Sequence, residues 1–113
     1  RKPPSLPSNC VPVVGWIQDT LPKFISENKD LKINFVHIDT DTYPTAKNIL
    51  ELIKPFLVHN AIIIFDELCN VVGWSAGEYK ALTEVLKEEE IKFLAFSSVG
   101  AQAIVQFKSN PSD

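Results

Sequence analysis

The chain has 113 residues, of which 45% are apolar and 22% charged, and its formal net charge is −3. This length fits one small domain with a single core, and the composition is ordinary for a soluble globular protein. The acidic balance disfavours nucleic acid and anionic membranes as partners. The longest apolar run, Ala61–Phe65, is too short to span a bilayer. No secretory signal opens the chain, so we expect a cytoplasmic protein.

The two cysteines, Cys10 and Cys69, are too few and too far apart for a disulfide framework or a zinc site. We therefore expect both to be reduced thiols. The chain begins with Arg1, and this first residue suggests a fragment or a processed product.

The N-terminal part of the chain begins with a proline-rich stretch. Residues 1–12 contain four prolines and are predicted to form a loop or linker. A short apolar stretch, Val11–Trp16, follows. The next segment is predicted to be a helix that is capped by Asp19 or Thr20 and runs to about Glu27.

Two apolar runs predict strands that are buried on both faces, namely Ile33–Ile38 and Ala61–Phe65. Between them, helical spacing predicts a helix that is capped by Thr45 and is ended early by Pro55. A later helix is predicted over about Ala76–Glu89.

The last two strands, Ile91–Phe96 and Ala103–Phe107, are joined by a connection short enough for an antiparallel hairpin. The complete order of strands and helices predicts an α/β fold with a mostly parallel sheet. In such sheets, ligands bind outside the carboxyl ends of the strands.

Acidic residues follow both of the predicted buried strands. Asp39 and Asp41 follow the first strand, and Asp66 and Glu67 follow the second. Neighbouring carboxylates repel one another, and a hard divalent cation such as Mg²⁺ relieves that repulsion because it prefers oxygen ligands. Loops after strands are also commonly polar, so this spacing is compatible with a metal site and with an ordinary polar loop.

Three stretches of the chain carry a resemblance to a known family. They are Gly15–Pro22 (GWIQDTLP), Phe35–Tyr43 (FVHIDTDTY) and Ile63–Glu67 (IIFDE). The macrocin O-methyltransferase family has the same features in the same order: a glycine, a helix start with TLP, a strand ending in D-x-D-x-Y and a strand ending in two acidic residues. The chain resembles that family over about Val11–Phe107.

The resemblance implies a partial Rossmann-like sheet, the C-terminal half of a class I methyltransferase domain spanning residues 13–108, with a tail at 109–113. It implies S-adenosylmethionine as methyl donor and a small-molecule hydroxyl, on a sugar or a phenol-type compound, as acceptor. Asp39, Asp66 and Glu67 match the Mg²⁺ ligands of the family. Asp41 and Tyr43 match its motif and are assigned to loop structure or substrate contact.

The remaining site residues are less determined. Trp74, in the loop after Glu67, is predicted either to wall the acceptor pocket or simply to pack. His37 lies inside a strand and is interpreted as a packed or hydrogen-bonded histidine. His59 precedes a strand at the opposite edge of the sheet. The catalytic base is therefore unknown.

A glycine-rich turn for the cofactor is missing from the sequence, which has four glycines and no G-x-G. The resemblance implies that the first two strands of the domain are absent and that this chain alone is inactive. The strands present would take the order 4-5-7-6 of the family sheet, with the fourth strand at an exposed edge. We expect that edge to pair with another copy or with the missing half.

Three alternatives stay open. The motif Asp39–Tyr43 approaches the D-x-D-x-[TV] signature of haloacid dehalogenase-type phosphatases, but Tyr43 occupies the Thr/Val position. Its D-x-D is also compatible with a nucleotide-sugar glycosyltransferase. The third alternative is a non-catalytic α/β module that binds a partner, and metal binding would distinguish the methyltransferase from this module.

Overall fold

A computed structural model describes residues 5–40, 42–66, 78–96 and 102–109 of the chain. Asp41, Glu67, Cys69 and Trp74 lie outside these described residues. The described helices are α1 (Ile17–Glu27), α2 (Tyr43–Ile53) and α3 (Glu78–Val85), with 3-10 turns at Lys54–Phe56 and Glu88–Glu90. The described strands are β1 (Ile33–Ile38), β2 (Leu57–Phe65), β3 (Ile91–Phe96) and β4 (Ala103–Phe107).

The four described strands form one mixed sheet in the order β1-β2-β4-β3. β1 and β2 are parallel, whereas β4 is antiparallel to both β2 and β3. The predicted α/β class, the predicted order of the strands and the predicted antiparallel C-terminal pair are confirmed. The parallel pair brings the carboxyl ends of β1 and β2 to the same edge of the sheet.

One face of the sheet carries the hydrophobic core. Alternate residues of β2 and β4 point to this face, among them Ile63, Phe65 and Val105, and each of these is fully buried. They cluster with apolar residues of α2 and α3, such as Leu50 and Leu82. The intervening residues form the other face of the sheet.

This second face is more exposed, and we call it the open face. It is formed by Phe35 of β1, Ile62 and Ile64 of β2 and Ile104 of β4. Phe35 lies opposite Ile62, and Ile64, two residues further along β2, lies opposite Ile104. The three isoleucines are partly exposed, and none belongs to the buried cluster. Phe35 is 58% exposed. Among the described residues, apolar side chains are therefore covered on one side of the sheet far better than on the other.

The expectation that β1 is buried on both faces is wrong. Only Ile38 of this strand is buried, while Asn34, Phe35 and His37 are exposed. The reason is that β1 is the terminal strand of the described sheet, so its outer edge has no neighbouring strand to cover it. Its apolar composition predicted burial, but burial also depends on neighbours that the composition does not reveal. The expectation that Ala61–Phe65 is buried on both faces is also wrong, because Ile62 and Ile64 lie on the open face and are partly exposed.

The first helix begins earlier than its predicted caps. α1 starts at Ile17 with Trp16 as its N-cap, so Asp19 and Thr20 lie inside the first turn. The Thr20 hydroxyl donates back to the Trp16 carbonyl oxygen at 3.1 Å, and it therefore does not cap the helix N-terminus. Residues 5–16 contain no helix or strand, as predicted for the proline-rich segment.

The second helix also begins earlier than predicted. α2 starts at Tyr43, with Thr42 rather than Thr45 at the N-cap. Pro44 sits in its first turn, where its missing N–H costs nothing. The helix ends before Pro55, as predicted, because the chain tightens into a 3-10 turn over Lys54–Phe56.

Two further boundaries differ from the predictions. β2 begins at Leu57, four residues before the predicted start. α3 ends at Val85, and a separate 3-10 turn replaces the predicted last turn of the helix. The strands β1, β3 and β4 have the predicted bounds.

No described helix is long and apolar enough to cross a membrane. Cys10 is a free and exposed thiol.

Candidate functional site

Two carboxylates meet at the carboxyl edge of the parallel strands. Asp39 follows β1 directly and Asp66 follows β2 directly. The Asp66 N–H donates to the Ile38 carbonyl oxygen at 3.1 Å, which extends the parallel pairing to the point where both acidic residues leave the sheet. The Asp39 side chain lies close enough to the Asp66 carboxyl to affect its pKa. The sequence-predicted residues Asp39 and Asp66 are therefore brought together by the strand register.

Polar neighbours hold the pKa of the Asp66 carboxyl below its usual range. The main cause is a hydrogen bond that Gln102 Nε2 donates to Asp66 Oδ1 at 2.8 Å. Partial burial acts in the opposite direction, and contacts with the Asp39 carboxyl and with His37 add to the lowering. Asp66 is therefore a carboxylate at neutral pH, which is the form that a cation would bind.

His37 also contacts this cluster. Its Nε2 atom lies 3.6 Å from Asp66 Oδ1, and its side chain is 46% exposed. Across the sheet it pairs with Ile64, so it belongs to the open face. The imidazole is thus a neighbour of the acidic pair and is not packed inside the core. His59 lies in β2, where Ser109 contacts its Nδ1 atom at 3.0 Å, six residues before Phe65.

Sequence reasoning missed Gln102, because its position depends on the pairing of β2 with β4. In the β2–β4 pairing, Phe65 lies opposite Ala103, so the residue before Ala103 falls opposite Asp66. The sequence predicted that β3 and β4 pair as a hairpin, but this prediction does not fix which residues of β2 lie opposite β4. Knowing that register would have placed an amide donor beside the acidic pair.

A groove of about 500 Å³ borders this edge of the sheet. Its walls are the apolar side chains of α1, β1 and α2, including Leu21, Phe24 and Ile49. Its polar lining consists of His37, Asp39 and Thr40, all at the carboxyl end of β1. The groove therefore joins an apolar cleft to one residue of the acidic pair.

Tyr43 occupies a separate polar cluster between α2 and α3. Its hydroxyl donates to Glu84 Oε1, and Lys47 Nζ lies 3.5 Å from the same oxygen. Lys80 Nζ lies 4.3 Å from the centroid of the Tyr43 ring. The Tyr43 hydroxyl, followed by the charge of Lys47, lowers the pKa of Glu84, although partial burial opposes it. Sequence reasoning assigned no role to Glu84, because nothing in a single sequence pairs residues 41 positions apart.

The donor chemistry of the acidic pair suits a hard cation such as Mg²⁺, which takes carboxylate and water oxygens. Asp39 and Asp66 provide two carboxylates, and the third predicted ligand, Glu67, lies outside the described residues. Within the described ranges, no group of three or more His, Cys, Asp or Glu side chains is arranged to hold a metal ion. The described residues therefore fit part of a metal site.

Comparison with known proteins identifies the class of this fold and site. Residues 1–68, more than half of the chain, match the sequence model of a family described as "Methyltransferase domain". The chain belongs to this methyltransferase domain family. No curated protein is significantly similar in sequence.

Solved structures give a more particular likeness. The chain is similar to the apo structure of CalS11, a TDP-rhamnose 3'-O-methyltransferase of calicheamicin biosynthesis, with 31% identity and a TM-score of 0.71 over 83% of this chain. A second structure, titled CalS11, calicheamicin methyltransferase, matches with the same identity and TM-score. The chain spans only 39% and 36% of the length of these two matched chains.

Proposed function

We propose that this chain is the C-terminal part of an S-adenosylmethionine-dependent O-methyltransferase that acts on a hydroxyl of a sugar or another small molecule. The observation that carries the proposal is the proximity of Asp39 and Asp66 at the ends of two parallel strands, where Asp39 also lines an apolar groove. The family match and the likeness to a sugar O-methyltransferase support it.

In this reaction a methyl group leaves a sulfonium sulfur and bonds to the acceptor oxygen, which gives up its proton. Such an in-line transfer depends mainly on positioning and on electrostatic stabilisation of the acceptor oxygen. We propose that Asp39 and Asp66, with Glu67, hold a divalent cation, which when bound would lower the pKa of an acceptor hydroxyl. Gln102 would hold Asp66 in place and keep it ionised.

The residues of this chain do not by themselves fit S-adenosylmethionine. The sequence has no glycine-rich turn, the feature that allows a backbone to approach the cofactor closely. We therefore propose that the cofactor site is completed by polypeptide outside this chain. Three features support this proposal. One edge of β1 pairs with no other strand among the described residues, the open face is apolar, and the chain spans 39% of the matched enzyme.

The free edge of β1 also supports a second candidate, a partner-binding module or a homo-oligomer. β1 contains no charged residue or proline, the two residue types that commonly protect an edge strand from pairing. A second copy or another polypeptide could add a strand there. Methyl transfer and partner binding are compatible, since the same edge would receive the remainder of an enzyme.

Titration calorimetry of Mg²⁺ into the chain tests the proposed metal role. We expect the wild-type chain to bind the cation and Asp66→Asn to weaken binding at least tenfold, because a carboxylate ligand becomes a neutral amide. Asp30→Asn, which changes an exposed aspartate in the turn before β1, is the matched control and should bind as the wild type does. Equal binding by the Asp66 and Asp30 variants would contradict the metal site.

A chimera tests the methyltransferase role. The matched segment of CalS11 would be replaced by this chain, and methyl transfer from S-adenosylmethionine to TDP-rhamnose would be measured with and without Asp66→Asn. Transfer that depends on Asp66 would support the proposal. A folded chimera that binds the cofactor and transfers no methyl group, with intact CalS11 active in the same assay, would contradict it.

A further inference from the structure

The start of α2 lacks an ordinary helix cap. Thr42 occupies the N-cap position, but its side chain makes no capping hydrogen bond to the helix backbone. Its hydroxyl instead lies 3.0 Å from the hydroxyl of Thr45. The first turn is closed by the Ala46 N–H, which donates to the Thr42 carbonyl oxygen at 3.1 Å. Another interaction must therefore fix this turn, because uncapped helix ends fray readily.

The Tyr43 side chain supplies such an interaction. Tyr43 is the first residue of α2, and its ring packs against the hydrophobic core. Its hydroxyl donates to Glu84 in the last turn of α3, so the first residue of one helix is tied to the next helix. Tyr43 is only four positions after Asp39 in the sequence, so the start of α2 is close along the chain to the acidic pair.

Two lysines strengthen this connection. Lys47, one turn further along α2, lies 3.5 Å from Glu84 Oε1. Lys80, one turn earlier on α3, lies 4.3 Å from the centroid of the Tyr43 ring, within the range of a cation–π contact. Each helix therefore contributes a cation to the contact, and the hydroxyl and the ring of Tyr43 both have partners on α3.

We propose that Tyr43 and Glu84 are positioning residues that fix the start of α2 and thereby help to orient the Asp39 carboxylate, four positions earlier in the chain, relative to Asp66. This inference rests on the proposed metal role of Asp39. The sequence left the role of Tyr43 open between loop structure and substrate contact, and this inference assigns it a positioning role. It also gives a role to Glu84. The Tyr43 hydroxyl acts through the backbone and touches neither the metal nor the substrate.

The test uses variants that remove the contact while keeping the ring. Tyr43→Phe keeps the packing and the cation–π contact but loses the hydroxyl. Glu84→Ala removes the acceptor, whereas Glu84→Gln keeps an oxygen that can accept from Tyr43 and should rescue most of the effect. Glu51→Ala, at an exposed position of α2, is the matched control.

Two measurements separate this inference from the proposed function. The first is amide hydrogen exchange of Ala46 and the amide chemical shift of Asp39, neither of which requires a metal. We expect Tyr43→Phe and Glu84→Ala each to lower the protection of Ala46 about tenfold and to shift the Asp39 resonance. The double variant should be no worse than either single variant, because both remove the same bond.

The second measurement is the affinity for Mg²⁺, which should fall about tenfold in the same two variants, as for other residues that orient metal ligands. Unchanged Ala46 protection and an unchanged Asp39 resonance in both variants would overturn the positioning role. Absence of Mg²⁺ binding by the wild-type chain would count against the proposed metal site, and the exchange measurement would still decide the role of Tyr43 and Glu84.

Discussion

The two sides of this molecule differ in how completely they are built. On the closed side, β2, β4, α2 and α3 enclose side chains with almost no solvent exposure, such as Phe65 and Leu82. The other side, which consists of β1 and α1 and which we call the open side, exposes large apolar side chains. No residue of α1 is fully buried, although Leu21 and Ile25 pack against the core. The neighbouring parallel strands β1 and β2 therefore have very different environments. β2 lies between two other strands, whereas β1 is the terminal strand of the described sheet.

The candidate site lies on the boundary between these two sides. Asp66 follows a strand of the closed side and Asp39 follows the strand at the open edge. The closed side supplies polar partners, namely Gln102 for Asp66, directly before β4, and Glu84 for Tyr43, on α3. The open side supplies the apolar groove. Under the proposed function, further polypeptide would dock at β1 and cover the open side of this site.

The largest contrast is expected between two phenylalanines on neighbouring strands. Phe65→Ala, on the closed side, should lower the free energy of unfolding by about 3–5 kcal/mol, because it removes a fully buried ring and leaves a cavity. Phe35→Ala, on the open side, should change it by less than about 1 kcal/mol. Urea denaturation followed by circular dichroism measures both. Similar losses in the two variants would refute the contrast.

If Phe65→Ala prevents folding, Ile63→Val provides a milder comparison at another fully buried position of β2. It should cost about 0.5–1.5 kcal/mol. Ile62→Val on the open face is its matched control in the same strand and should cost less. A greater loss at Ile62 than at Ile63 would contradict the assignment of the two faces.

The second prediction concerns a polar contact of the closed side. Glu90 is buried and accepts hydrogen bonds from Lys87 N–H at 2.8 Å and from Lys54 Nζ at 3.2 Å. Burial acts to raise the pKa of Glu90, but these donors and their charges outweigh it, so the pKa lies below its ordinary value of 4.5. Lys54 also donates to the Val85 carbonyl oxygen at the end of α3. This carboxylate therefore joins the turn after α2 to the end of α3.

The sign of the pH effect follows from the lowered pKa of Glu90. The stabilisation is fully present above the ordinary pKa of 4.5 and is lost as the pH falls through the lower pKa of the folded state. Glu90→Gln should lower the free energy of unfolding at pH 7 by about 1–3 kcal/mol and flatten its dependence on pH below about 5. Glu89→Gln, an exposed neighbour, is the control and should behave as the wild type. Thermal unfolding between pH 3 and 7 provides the measurement.

The third prediction concerns the backbone before α1. Gly15 has a φ of 143°, and a Cβ placed there would lie 2.8 Å from the Thr20 Cγ2 atom. Gly15→Ala should cost about 1 kcal/mol, because a residue other than glycine is strained in that conformation and crowds Thr20. The effect should remain on the open side, with lower helicity of α1 by circular dichroism and unchanged amide protection in β4. Lower protection in β4 would show that α1 and the core unfold together.

The smallest expected change in stability comes from the free edge. Phe35→Lys should alter the free energy of unfolding by less than about 0.5 kcal/mol, since this side chain is exposed. It should, however, abolish concentration-dependent self-association in sedimentation velocity, because a lysine on an edge strand opposes pairing. Lys92→Phe, on the opposite edge strand, reports whether that second edge also associates. Association that persists in Phe35→Lys would place the contact away from β1.

The sequence by itself determined the elements of this protein. Mainly apolar segments with polar boundaries predicted β1, β3 and β4 with the observed bounds, because strand formation depends strongly on local composition. The order of strands and helices predicted the α/β class, and the two acidic pairs after the strands indicated the end of the sheet where we propose that ligands bind. The helix caps were less predictable, since Thr20 and Thr45 have the right chemistry for a cap but lie inside first turns.

Only the tertiary structure decided which residues surround the site and which surfaces stay open. The apolar sequence of β1 predicted burial on both faces, yet its position at the end of the sheet leaves it exposed. Gln102 and Glu84 were not predicted because their partners, Asp66 and Tyr43, are 36 and 41 positions away along the chain. A residue's burial and its distant partners are set by strand register and helix packing, and those depend on the whole chain rather than on any local pattern.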